Sequence, residues 1–116
     1  MPVRNDASVI ANCIDDITKQ SFENYELLIV DDGSTDETPH ILEKAKGRDA
    51  RVRIIRTSAN GIVSALNTGL AECKGDYIAR MDADDRMKKT RLGKQLELMQ
   101  ENPELDLIGC RVEGFT

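Results

Sequence analysis

The sequence predicts an α/β domain with a mostly parallel sheet that is flanked by helices on both faces. Segments with apolar residues at helical spacing alternate with short apolar segments, and this order is typical of parallel sheets. The 116 residues fit a single domain. A content of 40% hydrophobic and 32% charged residues excludes a disordered chain, and no apolar run approaches the ~18 residues that span a bilayer.

The first predicted element is a helix and the second is a buried strand. Apolar residues three and four positions apart predict the helix at 7–19: Ile10, Cys13, Ile14 and Ile17. The apolar run at 25–30 is short and ends in acidic residues, which favours a parallel strand covered on both faces. The chain therefore starts with an α-β pair.

The next pair is predicted from a helix-start signal and a β-branched run. Ser34 and Glu37 have the spacing of a capping box, and Pro39 follows in the first helical turn. These residues predict a helix at 36–46. Val and Ile alternate with Arg at 52–56, which predicts the second strand.

The second half of the chain repeats the alternation twice. Apolar spacing predicts a helix at 62–73, and an apolar run that again ends in acidic residues predicts a strand at 77–81. A last helix is marked by three apolar residues and ended by an Asn-Pro pair: Leu92, Leu96 and Met99. A final strand is predicted at 105–112.

The predicted order opens on a helix, whereas a doubly wound domain normally opens on a strand. Residues 1–6 are predicted as a loop. We therefore expect a further strand upstream of Met1, in the middle of the sheet between the strands 25–30 and 77–81, because both would otherwise keep unpaired backbone groups. A second copy of the chain is another source of that strand, so a homodimer is one expected arrangement.

Acidic residues follow two of the predicted strands directly. One cluster is Asp31-Asp32-Gly33-Ser34, and the other is Asp82-Ala83-Asp84-Asp85. Because the carboxyl ends of parallel strands meet at one edge, these carboxylates should gather there and need a compensating ligand. Oxygen ligands of this kind suit Mn²⁺ or Mg²⁺. Two structural interpretations stay open: the first cluster caps the next helix, or the second is a solvated acidic turn.

Composition and residue counts exclude several other kinds of site. The net charge of −5, with two Phe, two Tyr and no Trp, argues against a nucleic-acid partner. Three widely spaced cysteines and one histidine argue against a disulfide framework and a zinc site. No signal segment or membrane span is evident, so a cytoplasmic location is expected, including one at the inner face of a membrane.

Four ordered stretches resemble motifs of the family 2 glycosyltransferases. LIVDDGSTD at 28–36 resembles the nucleotide-recognition motif, and GDYIARMDADD at 75–85 resembles the D-x-D segment. GIVSALNTG at 61–69 is similar to the loop and helix that precede the metal site. MPVRN at 1–5 is similar to the end of the first strand, with Arg4 where the family usually has Tyr. The resemblance extends over essentially the whole chain.

The resemblance implies a fold and a reaction. The fold is the GT-A nucleotide-diphospho-sugar transferase fold, which is Rossmann-like. The implied reaction is inverting transfer of a sugar from a nucleotide-diphospho-sugar, expected to be a UDP-sugar, to the hydroxyl of a glycan or lipid-linked acceptor. Polysaccharide or cell-surface glycan synthesis is the expected setting.

The resemblance also implies roles for individual residues. Asp32 would accept the N3–H of a uracil-like base, with Pro2 and Val3 beside it. Asp84 would bind the divalent metal that bridges the diphosphate, and Asp82 would lie near the ribose or donor sugar and also contact the metal. The remaining implied donor-site residues are Asn60, Gly61 and Ala83, with Asp85 in support of the metal. For Asn60 and Gly61, a plain helix start stays open as the alternative.

Two further expectations concern what the chain lacks. Family members carry an acceptor site and a general base further along, and the late acids Asp106 and Glu113 do not match that base motif. Residues 1–116 are thus predicted to be the donor-binding domain of a larger enzyme, not fully active alone. The rival interpretation is a phosphoacceptor receiver domain that uses Asp31, Asp32 and Asp82, although the helix ahead of the acid pair argues against it.

Overall fold

The structure, a computed structural model, describes residues 1–115. Three strands and four helices follow one another in a mostly alternating order. They are β1 (Pro2–Val3), α1 (Ile10–Thr18), β2 (Leu27–Asp31), α2 (Thr38–Arg48), β3 (Val52–Arg56), α3 (Ile62–Glu72) and α4 (Arg91–Glu101). Within residues 1–115 the strands form one parallel sheet in the order β1-β2-β3, so β2 lies in the centre.

Both faces of β2 are covered by helices, as predicted. All five of its residues are buried. Successive side chains of a strand point to opposite faces. Leu27 and Ile29 join the core with residues of α1 and α2, whereas Val30 faces α3, where a Cβ on Gly69 would lie 3.5 Å from Val30 Cγ2. The predicted parallel sheet with flanking helices is therefore confirmed.

The predicted strands at 77–81 and 105–112 are wrong for the described residues, since neither segment forms a strand. A strand exists only where a neighbouring backbone pairs with it. For the first segment, the described sheet consists of β1, β2 and β3 alone, and none of these strands pairs with residues 77–81. In the second segment Leu107 is 86% and Val112 92% exposed, so most of it lies uncovered within residues 1–115.

The prediction of a loop at 1–6 is wrong at Pro2–Val3, whereas the resemblance of residues 1–5 to the end of a first strand is confirmed. Pro2 pairs with Val30 and Val3 with Asp31, in parallel register. The Met1 carbonyl accepts the N–H of Val30 at 2.9 Å, which extends the pairing by one residue. The position beside β2 that we assigned to an upstream strand is thus occupied by β1.

The predicted capping box at the start of α2 is also wrong. Ser34 Oγ accepts the N–H of Asn5 at 3.0 Å instead of capping the helix. The helix begins at Thr38, whose N–H donates to Asp36 Oδ1 at 2.9 Å, and Pro39 lies in the first turn as predicted. The N–H of Thr38, at the start of α2, therefore has Asp36 as its acceptor and not Ser34.

The helices of the described chain are short. Among residues 1–115, none is both long enough and apolar enough to cross a membrane.

Candidate functional site

Asp32 directly follows β2 and is the most tightly held of the predicted site residues. Its Oδ1 accepts the hydroxyl of Thr57 at 2.6 Å and the N–H of Asn60 at 2.9 Å, and its Oδ2 accepts the N–H of Gly61 at 2.8 Å. The Thr57 hydroxyl, followed by the two backbone donors, holds the pKa of Asp32 below its usual value. The side chain is therefore ionised at neutral pH although the residue is only 3% exposed.

The bonds to Asp32 join the loops that follow β2 and β3. A carboxylate has about four acceptor positions, and three are used here, so one remains on Oδ2. The two loops also pack closely against each other. A Cβ on Gly33, in the loop after β2, would lie 3.0 Å from the backbone nitrogen of Ala59 in the loop after β3. Gly61 is the N-cap of α3 and Asn60 precedes it, and the backbone N–H groups of both residues donate to Asp32.

β1 brings the start of the chain to the same place. The N–H of Asp32 donates to the Val3 carbonyl at 2.9 Å, and Val3 is buried. Asn5, which has a positive φ of 54°, accepts the N–H of Thr35 at 2.8 Å. Val3 therefore lies beside Asp32, and Pro2, the preceding residue of β1, pairs with Val30.

Asp31 has a structural role at the end of β2. Its Oδ1 accepts the N–H of Ser34 at 3.0 Å, which closes a turn within the loop. Neither Asp31 nor Asp32 caps α2, so the interpretation of this cluster as a helix cap is wrong.

The second cluster, residues 82–85, forms a turn that we call the acidic loop. The N–H of Asp85 donates to the Asp82 carbonyl at 3.2 Å, and the Asp84 and Asp85 side chains are exposed while Ala83 is buried. Arg80 lies beside Asp82, with its Nη2 3.3 Å from Asp82 Oδ1. Asp84 is thus presented to solvent at the tip of a turn that is anchored in the core.

The anchor of the acidic loop is the buried face of α1. Cys13 Sγ donates to the Asp82 carbonyl at 3.4 Å, and Met81 and Ala83 belong to the same core cluster as Val3 and Cys13. The two groups of predicted site residues, one around Asp32 and one in the acidic loop, are therefore built on one core.

Comparison with known proteins identifies the family. The model for glycosyl transferase family 2 matches residues 1–116. The chain belongs to glycosyltransferase family 2. A curated relative, the uncharacterized glycosyltransferase EpsJ of Bacillus subtilis, is 34% identical over 110 residues, which are 95% of this chain and 32% of EpsJ. The chain thus spans about a third of the length of this relative.

Solved glycosyltransferases share the fold. S. aureus TarS 1–349 in complex with UDP-GlcNAc has a TM-score of 0.82 and 26% identity, with 88% of this chain and 30% of that chain covered. The mannosyltransferase PcManGT from Pyrobaculum calidifontis, in complex with GDP-Man and Mn²⁺, has a TM-score of 0.79 and 25% identity, with 84% and 30% covered. The predicted GT-A fold is confirmed, and membership of this family sets the receiver-domain interpretation aside.

The acidic loop of this family 2 domain fits some metals and not others. Within residues 1–115, no three His, Cys, Asp or Glu side chains gather to hold an ion by themselves. One or two carboxylates fit a hard cation such as Mn²⁺ or Mg²⁺, which completes its shell with phosphate oxygens and water. A thiolate site does not fit, because burial raises the pKa of Cys13 to about 12 and keeps it a thiol.

Sequence reasoning missed two residues that shape the site. Thr57 makes the shortest hydrogen bond to Asp32, and it follows β3 at the same edge of the sheet. The strand-end rule that selected the acidic clusters would have found it if applied to hydroxyl residues. Asn5, which ties residues 1–5 to the loop after β2, has no comparable signal except its place in the MPVRN stretch.

Gly33 gives a test of how tightly the loop after β2 is built. Its φ is +74°, and an added Cβ would press on Ala59. We expect Gly33→Ala to lower the free energy of unfolding by about 1–3 kcal/mol, measured by urea denaturation. The control is Gly47→Ala within α2, where an added Cβ meets nothing within 4 Å. It should raise the free energy of unfolding by about 0.5–1 kcal/mol, and equal effects of the two changes would contradict this account.

Proposed function

We propose that residues 1–116 are the donor-binding domain of an inverting family 2 glycosyltransferase. The domain would bind a nucleotide-diphospho-sugar, specifically a UDP-sugar, with a divalent metal at Asp84 and Asp82. The observation that carries this proposal is Asp32, an ionised and nearly buried carboxylate with one acceptor position left.

The base would be recognised at Asp32. Thr57, Asn60 and Gly61 hold its carboxylate in one orientation, so it needs no rearrangement to accept a further N–H. The Watson–Crick edge of uracil has such a donor at N3. Pro2 and Val3, which β1 places beside Asp32, would form a wall of the base pocket. TarS in complex with UDP-GlcNAc supports a uracil nucleotide by analogy.

The diphosphate would be held at the acidic loop. When bound, a divalent cation offsets the negative charge that develops on the nucleoside diphosphate as it leaves. Asp84 is exposed at the tip of the turn and would bind the cation, while Asp82 would face the ribose and also contact the metal. Ala83, buried between them, fixes the turn to the core. PcManGT with GDP-Man and Mn²⁺ supports a metal-dependent donor by analogy.

The acceptor and the general base would lie outside this domain. Inverting transfer needs a carboxylate that takes the proton of the acceptor hydroxyl, and Asp106 and Glu113 lie on an exposed segment without regular structure. A glycan or lipid-linked acceptor is proposed. Because a charged nucleotide sugar does not cross a bilayer unaided, we propose that the domain works in the cytoplasm.

The base contact is tested without any mutation. UDP and CDP carry the same ribose and diphosphate, but N3 of cytosine has a lone pair where uracil has an N–H. In the presence of Mn²⁺ we expect UDP to bind roughly 10- to 100-fold more tightly than CDP, measured by calorimetry, because the carboxylate gains a charged hydrogen bond in one case only.

The same titration includes GDP, since guanine also has an N–H on its Watson–Crick edge. Equal affinities for UDP and CDP would contradict the role of Asp32 in base recognition. Tighter binding of GDP than of UDP would show that the donor is a guanosine nucleotide.

A further inference from the structure

The segment between the acidic loop and α4, residues 86–90, has no helix or strand of its own. Its position is set by α1 through a bidentate ion pair. Arg86 Nε donates to Asp16 Oδ2 at 2.6 Å, and its Nη2 donates to Asp16 Oδ1 at 2.9 Å. The Met87 N–H donates to the same Asp16 Oδ2 at 3.1 Å. The Asp16 side chain is 16% exposed, and the bond from Arg86 holds its pKa below the usual value.

A second contact lies just beyond the end of α1. Gln20 is 4% exposed, and its side-chain Nε2 donates to the Asp16 carbonyl at 3.1 Å and to the Lys88 carbonyl at 2.9 Å. Its Oε1 accepts the N–H of Leu92, at the start of α4, at 3.1 Å. A buried amide therefore satisfies one backbone group in α1, one within the segment and one at the start of α4, which makes it costly to displace.

These contacts continue the anchor that Cys13 forms with the acidic loop. Cys13 and Asp16 are three positions apart on one face of α1, and Gln20 follows just beyond the end of the helix. From this face and the residue beyond it, Cys13 contacts Asp82, Asp16 contacts residues 86–87, and Gln20 contacts Lys88 and Leu92. The acidic loop is thus held before and after its exposed tip.

We propose that Asp16 is a positioning residue for the metal-binding carboxylate of the acidic loop. Through Arg86, it restrains the backbone that follows Asp84 and so keeps this exposed carboxylate in place for a cation that also contacts the diphosphate. The inference rests on the proposed function. A bidentate Arg–carboxylate pair restrains both direction and distance, and partners behind metal ligands typically contribute 10- to 100-fold to metal affinity.

The test compares two neighbouring acids of α1 in the full-length protein. Asp16→Asn removes the charged partner of Arg86. Asp15→Asn is the matched control, because Asp15 pairs with Lys19 at 2.6 Å on the same helix, whereas Arg86 pairs with Asp16. We expect Asp16→Asn to weaken Mn²⁺ binding in the presence of UDP by roughly 10- to 100-fold, measured by electron paramagnetic resonance of free Mn²⁺. UDP affinity without metal should stay within about two-fold of the parent, and Asp16→Glu should restore part of the Mn²⁺ affinity.

A metal-free measurement accompanies this titration. Hydrogen exchange of the amides at 82–90 should become faster in Asp16→Asn and stay unchanged in Asp15→Asn. If Asp16→Asn fails to fold, Arg86→Gln takes its place, since it removes the pair from the exposed side and leaves the acceptor of the Met87 N–H. That variant should show the same loss of Mn²⁺ affinity.

Two kinds of failure are distinguishable. In the first, Asp16→Asn and Arg86→Gln bind Mn²⁺ as tightly as Asp15→Asn does, while Asp84→Ala abolishes binding. This result would overturn the positioning role and leave the proposed function intact. In the second, the Mn²⁺ binding of the parent protein does not depend on Asp84. This result would overturn the proposed metal site and the positioning role together.

Discussion

Replacing Asp84 by alanine is expected to abolish the metal-dependent part of UDP binding. The side chain is exposed at the tip of the acidic loop, and the proposed cation has at most one other carboxylate ligand there, from Asp82. The loss should exceed the roughly 10- to 100-fold that removing an outer partner of a metal ligand costs. Calorimetric titration of UDP with Mn²⁺, and again with a chelator, measures the metal-dependent part directly.

The control for this change is Asp76→Ala, which removes an exposed acid a few residues earlier and to which no role is assigned. It should bind UDP and Mn²⁺ like the parent. Asp82→Ala should fall between the two, because Asp82 already has Arg80 beside it. If Asp84→Ala binds UDP like the parent and this binding is still sensitive to the chelator, the metal is not bound at the acidic loop.

The second large effect concerns residues 1–116 expressed alone. We expect this segment to bind the donor but to transfer no sugar to an acceptor at an enzymatic rate. Without a general base the rate falls by about 10²–10⁴-fold, and without an acceptor pocket the advantage of orientation is lost as well. Slow hydrolysis of the donor is expected to remain.

The measurement compares acceptor-dependent and acceptor-independent release of UDP by residues 1–116 and by the full-length protein. Donor binding by the short chain, measured first, shows that it is folded. Robust acceptor-dependent turnover by residues 1–116 would show that the base lies within them.

Local sequence patterns predicted an element correctly where its own residues determine its structure. The apolar spacing in 7–19 corresponds to α1, and the β-branched run at 52–56 coincides with β3. The acids after β2 were correctly placed at a strand end because a strand that is buried on both faces has a recognisable apolar run. The family was likewise evident from four short motifs in order.

Patterns failed where a structure depends on a distant partner. The apolar run at 77–81 has the composition of a strand but no paired backbone among residues 1–115, whereas Pro2–Val3 has little strand character and is held in place by β2. Ser34 and Glu37 have a capping-box spacing, yet the Ser34 hydroxyl oxygen accepts the backbone N–H of Asn5. Strand formation and capping depend on which backbone N–H and C=O groups still lack a hydrogen-bond partner. The spacing of residues in the sequence does not show this.

The sequence by itself determined the class of this protein: the alternation of elements, the central buried strand, the two acidic clusters and the family. Only the tertiary structure decided which of those residues act together. Asp32 meets Thr57 across 25 positions and Asp16 meets Arg86 across 70. The reason is physical, since periodicity records which face of an element is buried, while a hydrogen bond between distant residues forms only after the packed core has brought their atoms within about 3 Å.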